Sequence, residues 1–251
     1  MTETIGNPHG MNTSILYGPV LSRRYGLTLG VNFFNGPCKV CTFRCPYCQL
    51  VTGSVASPQA VFSIVQLEEA FSKLSHFFTG EKIPDVIVVS GNGEPTLYPE
   101  FQTAINLLQI GANKLSSQPP VVVFTNGTRL GELDIAAALL RVDEIAVKLD
   151  PNPAKANRAV ELYDEMVVAR QARTFSNLSV QACFYEGQLE LPTDLAFWID
   201  AVVLAKPLRV DLYTLSRQTV AKGLKPVSER FLRDVAIQLG GFYKGPIRIF
   251  G

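Results

Sequence analysis

Histidine is nearly missing from this 251-residue chain: there are two, His9 in a polar N-terminal stretch and His76 inside a predicted helix. A Ser-His-Asp triad or a His-ligated hydrolytic metal would need unusual substitutes. Neither a G-x-S-x-G sequence nor a P-loop is present, which removes the nucleophile elbow and the usual phosphate cradle. No run approaches the roughly 18 apolar residues that span a bilayer, and the first 14 residues carry no charged-then-apolar secretory pattern. No membrane partner is expected, and the expected compartment is cytoplasmic. Charge of one sign is also lacking. A net charge of +1 gives no basic field of the kind a dedicated nucleic-acid binder carries, so RNA remains a partner only through some local patch.

What is present is enough apolar residue for a full core, 47% against 18% charged, in a length that fits one domain, 1–251, with 1–20 as an N-terminal extension. The chain alternates. Short β-branched runs at 27–33, 85–91, 121–127, 144–150, 178–185 and 210–215 are separated by helical stretches at 65–78, 99–110, 131–141, 157–173, 193–204 and 228–239. The repeat of about thirty to forty residues is the length of a βα unit. Six units and a possible last strand at 247–250 predict α/β architecture: a partial, open TIM-type (β/α)6 barrel of parallel strands with helices outside. Strands covered on both faces by helices are apolar on both, yet four of these carry one polar face, such as Lys148 and Asp150 against Val147 and Leu149. That pattern favours a ligand-filled interior. A doubly wound sheet is the alternative.

Four of the five cysteines, Cys38, Cys41, Cys45 and Cys48, fall within eleven positions directly after the first predicted strand. Crowding of this kind points to a metal rather than to disulfides. Cys41, Cys45 and Cys48 have C-x3-C-x2-C spacing, and three thiolates hold three irons of a cubane while the fourth iron is left for a ligand. Tyr47 stands where its ring can pack beside that ligand. Zinc held by the pairs Cys38/Cys41 and Cys45/Cys48 is the competing reading, but only three residues separate the pairs, where zinc ribbons place about fifteen to twenty. Cys38 is left as a spare thiol with no assigned role.

With CTFRCPYCQ (41–49), SGNGEPTLYPEF (90–101), FTNGT (124–128), VKLD (147–150) and LYTLSR (212–217), most of the chain resembles the radical S-adenosylmethionine (SAM) superfamily, and in particular the branch of wyosine-base (tRNA) synthase-like iron–sulfur oxidoreductases. The resemblance implies a 4Fe–4S cluster and SAM as cofactors. It also implies reductive cleavage of SAM to methionine and a 5′-deoxyadenosyl radical that abstracts hydrogen from a substrate, with an electron donor such as a flavodoxin or ferredoxin. It makes Gly93 and Glu94 the motif that holds the SAM amino group. Alone, GNGEPT is equally a plain turn, or a dinucleotide fingerprint that lacks its third glycine. Thr125 and Asn126 are candidates for the cofactor carboxylate or ribose, although Asn-Gly is also an ordinary turn pair. Lys148 and Asp150 are candidates for the SAM carboxylate and ribose, or for a mutual ion pair. Gln181 is a candidate for adenine or ribose, against packing or a substrate contact.

Asp211, Tyr213 and Arg217 stand as substrate-contact candidates, and Cys183 either quenches a substrate radical, binds substrate, or is a small core residue. The substrate is expected to be a small metabolite or a modified nucleoside. The known wyosine synthases carry a second cysteine cluster that this chain lacks, which counts against that activity. A peptide or protein substrate is a further alternative, as is a non-catalytic zinc or redox-sensing module.

Overall fold

The computed structural model describes residues 13–36, 39–50, 61–79, 83–158, 163–217, 219 and 221–251. His9 and Cys38 lie outside them. The strand order is the chain order, β1 to β8, and the chain divides into two compact units.

The first unit comprises Met1–Cys41, Leu50–Thr125 and Glu132–Ile145. Its strands are β1 (Leu16–Ser22), β2 (Gly26–Val31), β3 (Val86–Val89) and β4 (Val121–Thr125), and its helices are α1 (Ile64–Ser72), α2 (Phe101–Asn113) and α3 (Leu133–Leu139). β2, β3 and β4 pair in parallel, with Val31 opposite Val89 and Val89 opposite Val123. β3 is buried on both faces along its whole length, as a helix-covered parallel strand should be, and β2 and β4 are buried except at Gly26, Leu27 and Phe124. α1 opens with a capping box in which the Ser63 hydroxyl accepts from the Gln66 amide at 3.3 Å and the Ser63 amide donates to Gln66 Oε1 at 2.9 Å. It ends at Ser72 and passes into a 3₁₀ turn, Leu74–Phe77, short of the single helix predicted for 65–78.

β1 is an addition to the predicted strands. It begins at Leu16 and pairs antiparallel with β2, so the sheet is mostly, not wholly, parallel. The Gly18-Pro19 dipeptide reads as a turn signal but sits at a register shift in an edge strand, where proline is tolerated because its missing N–H faces no partner. Tyr17 anchors the strand. Its ring lies over Gly30, where an added Cβ would come within 2.1 Å of it, and its hydroxyl is 2.7 Å from Ser90 Oγ.

The second unit comprises Thr42–Gln49, Asn126–Gly131 and Ala146–Gly251. It holds the end of β5 (Glu144–Lys148), then α4 (Pro153–Ala156), α5 (Glu165–Ala172), β6 (Leu178–Phe184), α6 (Pro192–Ala205), β7 (Val210–Thr214), α7 (Glu229–Gly240) and β8 (Ile247–Phe250). β6, β7 and β8 are parallel, with Gln181 opposite Asp211 and Asp211 opposite Arg248. Of the helix predicted for 157–173, the described residues show only α5, which starts at Glu165; α4 precedes that range. Pro153 opens a four-residue helix capped by Asn152, and Asp164 opens a new one by accepting from the Met166 and Val167 amides at 2.8 and 3.3 Å. The apolar face of β6 packs on Trp198 of α6, whose ring meets Phe184 edge-on at 5.5 Å and whose indole N–H donates to the Leu149 carbonyl at 2.8 Å. The opposite face, Ser179, Gln181 and Cys183, is as deeply buried as the first. Among the described residues no helix is long and apolar enough to cross a membrane.

Candidate active site

The candidate residues fall into one group in each unit. In the first, the segment leading into Cys41 runs beside the turn after β3. The Val40 amide donates to the Asn92 carbonyl at 3.0 Å, and the Glu94 amide donates to the Val40 carbonyl at 2.7 Å. Between those bonds lies Gly93. A Cβ there would sit 1.8 Å from the Val40 carbonyl oxygen and 2.6 Å from its carbon, so only glycine allows this approach. Its small size gives close access to the chain's own cysteine segment.

The turn itself is held by two buried amides that the sequence reading did not single out as site-shaping. Asn32 Oδ1 accepts from the Asn92 amide at 3.1 Å and the Phe34 amide at 3.2 Å, and both side-chain nitrogens donate to the Phe34 carbonyl, at 2.8 Å from Asn32 and 3.0 Å from Asn92. The only sequence signal was a polar residue closing an alternating strand.

Glu94 follows, 3% exposed, and begins the 3₁₀ turn Pro95–Leu97. Its Oε1 accepts from the Thr96 amide at 3.2 Å, the Thr96 hydroxyl at 2.7 Å and the Thr125 hydroxyl at 2.6 Å. Hydrogen bonds to an ionised acceptor are the strong kind, and these fix the carboxylate's direction. Thr125, at the end of β4, therefore orients Glu94.

In the second unit, the Cys48 amide closes a turn on the Cys45 carbonyl at 3.0 Å. Between those cysteines Tyr47 donates its hydroxyl hydrogen to Asp150 Oδ2. Asp150 is fully buried, and its Oδ1 accepts from Lys148 Nζ at 2.8 Å and from the Cys183 amide at 2.7 Å. Lys148 Nζ also donates to the Tyr213 hydroxyl at 2.6 Å and lies 4.7 and 4.8 Å from the ring centres of Tyr47 and Tyr213. Lys148 and Asp150 thus form an ion pair. Burial is the largest single effect and works against the Lys148 charge, but the charge and hydrogen bond of Asp150, together with Tyr213 and Cys183, hold the ammonium above its ordinary pKa. Burial first, and then the Asp150 charge, push the Tyr47 phenol well above its usual value.

Asn126 is half of the Asn-Gly turn, with Gly127 at φ 79°. Its Oδ1 accepts from the Thr128 amide at 3.1 Å and hydroxyl at 2.8 Å, while Nδ2 donates to Thr42 Oγ1 at 2.8 Å, so the turn grips the residue after Cys41. Gln181 is buried on β6, and its carbonyl accepts from the Leu149 amide at 3.1 Å. Asp211 is buried and has both oxygens held by Arg248, each at 2.7 Å, with Arg209 at 3.3 Å. Cys183 is buried and in no disulfide. Arg217 is exposed on the segment after β7 and joins neither group.

Cys41, Cys45 and Cys48 are partly exposed and in no disulfide. Their chemistry fits an iron–sulfur cluster, which takes one thiolate per iron.

Residues 37–163 match the family described as the Radical SAM superfamily. The chain is 26% identical over 231 residues to a UPF0026 protein of Helicobacter pylori strain J99, covering 88% of this chain and 73% of that one. Among solved structures it is similar to SuiB of Streptococcus suis bound to the precursor peptide SuiA, with a TM-score of 0.62 and 13% identity over 90% of this chain and 48% of that one. It is also similar to TYW1 with a lysine-pyruvate adduct bound, with a TM-score of 0.59 and 15% identity over 88% and 76%. At such identity the likeness shows the fold alone, and that fold is the open TIM-type arrangement expected from the strand pattern.

Proposed function

Given that the chain belongs to the radical SAM superfamily and is an enzyme whose cofactors are a 4Fe–4S cluster and SAM, we propose that its 251 residues act as one catalytic domain on a small metabolite or a modified nucleoside. When bound, the reduced cluster supplies one electron that splits SAM into methionine and a 5′-deoxyadenosyl radical, which takes a hydrogen atom from the substrate. Cys41, Cys45 and Cys48 provide the three thiolates. The electron comes from a protein donor of the flavodoxin or ferredoxin kind, and a cytoplasmic setting keeps the thiols reduced.

The observation that carries this reading is the double role of Glu94. Its backbone amide binds the segment entering Cys41, and its carboxylate is aimed by Thr96 and Thr125. An oriented, buried carboxylate tied to the cluster loop suits an ammonium such as that of SAM. In the second unit, the Tyr47–Asp150–Lys148–Tyr213 chain of hydrogen bonds braces the loop between Cys45 and Cys48. There Lys148 keeps a fixed positive charge that suits the carboxylate of SAM. Gln181 and Asn126 remain candidates for the cofactor's sugar and base.

Anaerobically reconstituted protein, reduced in the presence of SAM, should release 5′-deoxyadenosine and methionine without added substrate. A brown protein that binds SAM but yields neither product would remove the catalytic reading and leave a redox module.

A further inference from the structure

The loop after β7 is used by none of these roles, yet it is built against the cysteine segment. It leaves the strand and returns to it, since the Val227 amide donates to the Thr214 hydroxyl at 2.9 Å. Two further main-chain bonds pin what lies between. The Ala221 amide donates to the carbonyl of Pro46, between Cys45 and Cys48, at 3.3 Å, and the Glu186 amide donates to the Lys225 carbonyl at 2.9 Å. Gly223, at the turn between those anchors, has φ 83° and open space where a side chain would stand.

The loop and the segment it touches carry charge of one sign. Between positions 215 and 227 the charged residues are Arg217, Lys222 and Lys225, and between 40 and 50 there is Arg44; neither stretch contains an acid. All four side chains are exposed, and among the described residues none of them is held in an ion pair or hydrogen bond. Lys222 and Lys225 stand at the two anchors, and Arg44 directly precedes Cys45. Glu186 brings one acidic residue to the edge of the loop, so cations stay in excess there, in a chain whose net charge is only +1. Cys45 and Cys48 are partly exposed, which keeps a cluster on these thiolates close to the surface.

We infer that Arg44, Arg217, Lys222 and Lys225 form the surface on which an acidic protein docks to hand one electron to the cluster. The inference rests on the preceding reading of the chain and deepens it by placing the donor. One electron leaves the donor's reduced flavin or iron–sulfur centre, which is oxidised by one unit, and the oxidised cluster is reduced by one. Electron-transfer encounters are small and short-lived, and a few exposed charges of one sign raise the rate of such encounters more than their affinity. An RNA backbone fits less well. It is gripped through many phosphates, and a net charge of +1 supplies no wider basic field to extend the patch. Both anchors of the loop are main-chain bonds, so reversing charge at the lysines leaves the loop in place.

The test is anaerobic stopped-flow reduction of the oxidised, cluster-loaded enzyme by flavodoxin hydroquinone and, separately, by a reduced plant-type ferredoxin, both acidic proteins. At about 0.05 M salt, Lys222→Glu/Lys225→Glu should lower the second-order rate about tenfold or more. The difference should shrink below about twofold near about 1 M salt, where charges are screened within about 3 Å. Arg44→Gln should slow the reaction several-fold, and Lys114→Glu, a charge reversal at the end of α2, should slow it less than Lys222→Glu alone. In the double lysine variant, iron content and SAM affinity should match the parent, and reduction by the methyl viologen radical cation should not fall. The inference is overturned if neither protein donor reduces the unmodified enzyme, if the lysine variants are reduced as fast as the parent, or if the fall is as large with viologen or at high salt. Loss of binding to a mixed-sequence single-stranded RNA, with donor rates intact, would overturn it in favour of a nucleic-acid surface. Should docking fail while dithionite-reduced enzyme still cleaves SAM to 5′-deoxyadenosine, only the placement of the donor is lost. Absence of that product would remove the catalytic reading instead.

Discussion

Thr125 donates its hydroxyl hydrogen to Oε1 of Glu94 across 2.6 Å, joining the end of β4 to the turn after β3. Both residues are buried, so water does not replace the bond when it is removed. A hydrogen bond to a charged group is worth about 1.5–3 kcal/mol. Thr125→Val keeps the shape and deletes the donor. SAM affinity, measured by dialysis on the reconstituted protein, should fall about tenfold with iron content unchanged, while Thr125→Ser should restore most of it. Unaltered SAM binding in the valine variant would deny Glu94 its role.

Gly93 gives a second, harsher prediction. The atom that an alanine methyl would strike is backbone, the Val40 carbonyl oxygen at 1.8 Å, so no side-chain rotation relieves the clash. Overpacking costs about 1–3 kcal/mol. In Gly93→Ala the two bonds that flank the glycine should break together. Urea unfolding should shift to lower midpoint, and iron per chain after reconstitution should drop. A variant with normal iron and normal midpoint would mean that the cysteine segment is not anchored there.

The cluster ligands separate cleanly by variant. Replacing Cys41, Cys45 or Cys48 with alanine should abolish the broad absorbance near about 400 nm that marks a cubane, whereas Cys38→Ala should retain it. Loss of colour on changing Cys38 alone would reassign the ligand set. Zinc without iron in purified protein would favour a mononuclear site.

Strand positions were legible because runs such as VIVV are too short for helices and too apolar for loops, and the spacing of Cys41, Cys45 and Cys48 was legible because it is local. β1 was hidden by Gly18-Pro19, which looks like a turn until Tyr17 is seen lying on Gly30. The start of α5 at Glu165, inside the helix predicted over 157–173, depended on Asp164 acting as a cap, and an Asp within a helical pattern does not announce that. Roles set by distant partners were the least readable. Nothing near Asp211 in the chain signals that Arg248, 37 residues on, holds both its oxygens, and nothing in GNGEPT says that Gly93 makes room for Val40 rather than for a ligand.

Lys148 and Asp150 allow a stability prediction. Lys148→Met leaves a fully buried carboxylate without its cation, since the remaining partners of Asp150 are the Tyr47 hydroxyl and the Cys183 amide. Breaking a buried pair from one side costs about 3–5 kcal/mol. The double variant Lys148→Met/Asp150→Leu should recover part of that loss, because no orphaned charge remains. Denaturant curves for the two variants provide the check. If the single variant were as stable as the parent, the pair would not be closed off from water.

Glu165 makes stability depend on pH with a sign opposite to that of an ordinary paired carboxylate. Burial raises its folded pKa from the ordinary 4.5 to about 8. Between those values the folded chain holds a proton that the unfolded chain has released, so stability falls as pH rises from about 4.5 and levels off above about 8. Each pKa unit corresponds to about 1.36 kcal/mol, which puts the full effect at a few kcal/mol. Glu165→Gln cannot ionise. Its stability relative to the parent should be unchanged near pH 4, should increase through neutral pH, and should be on the order of 2–4 kcal/mol greater at pH 9. Parallel urea titrations at several pH values measure the difference directly, and a gap that stays constant with pH would mean that Glu165 is already ionised in the folded chain at neutral pH.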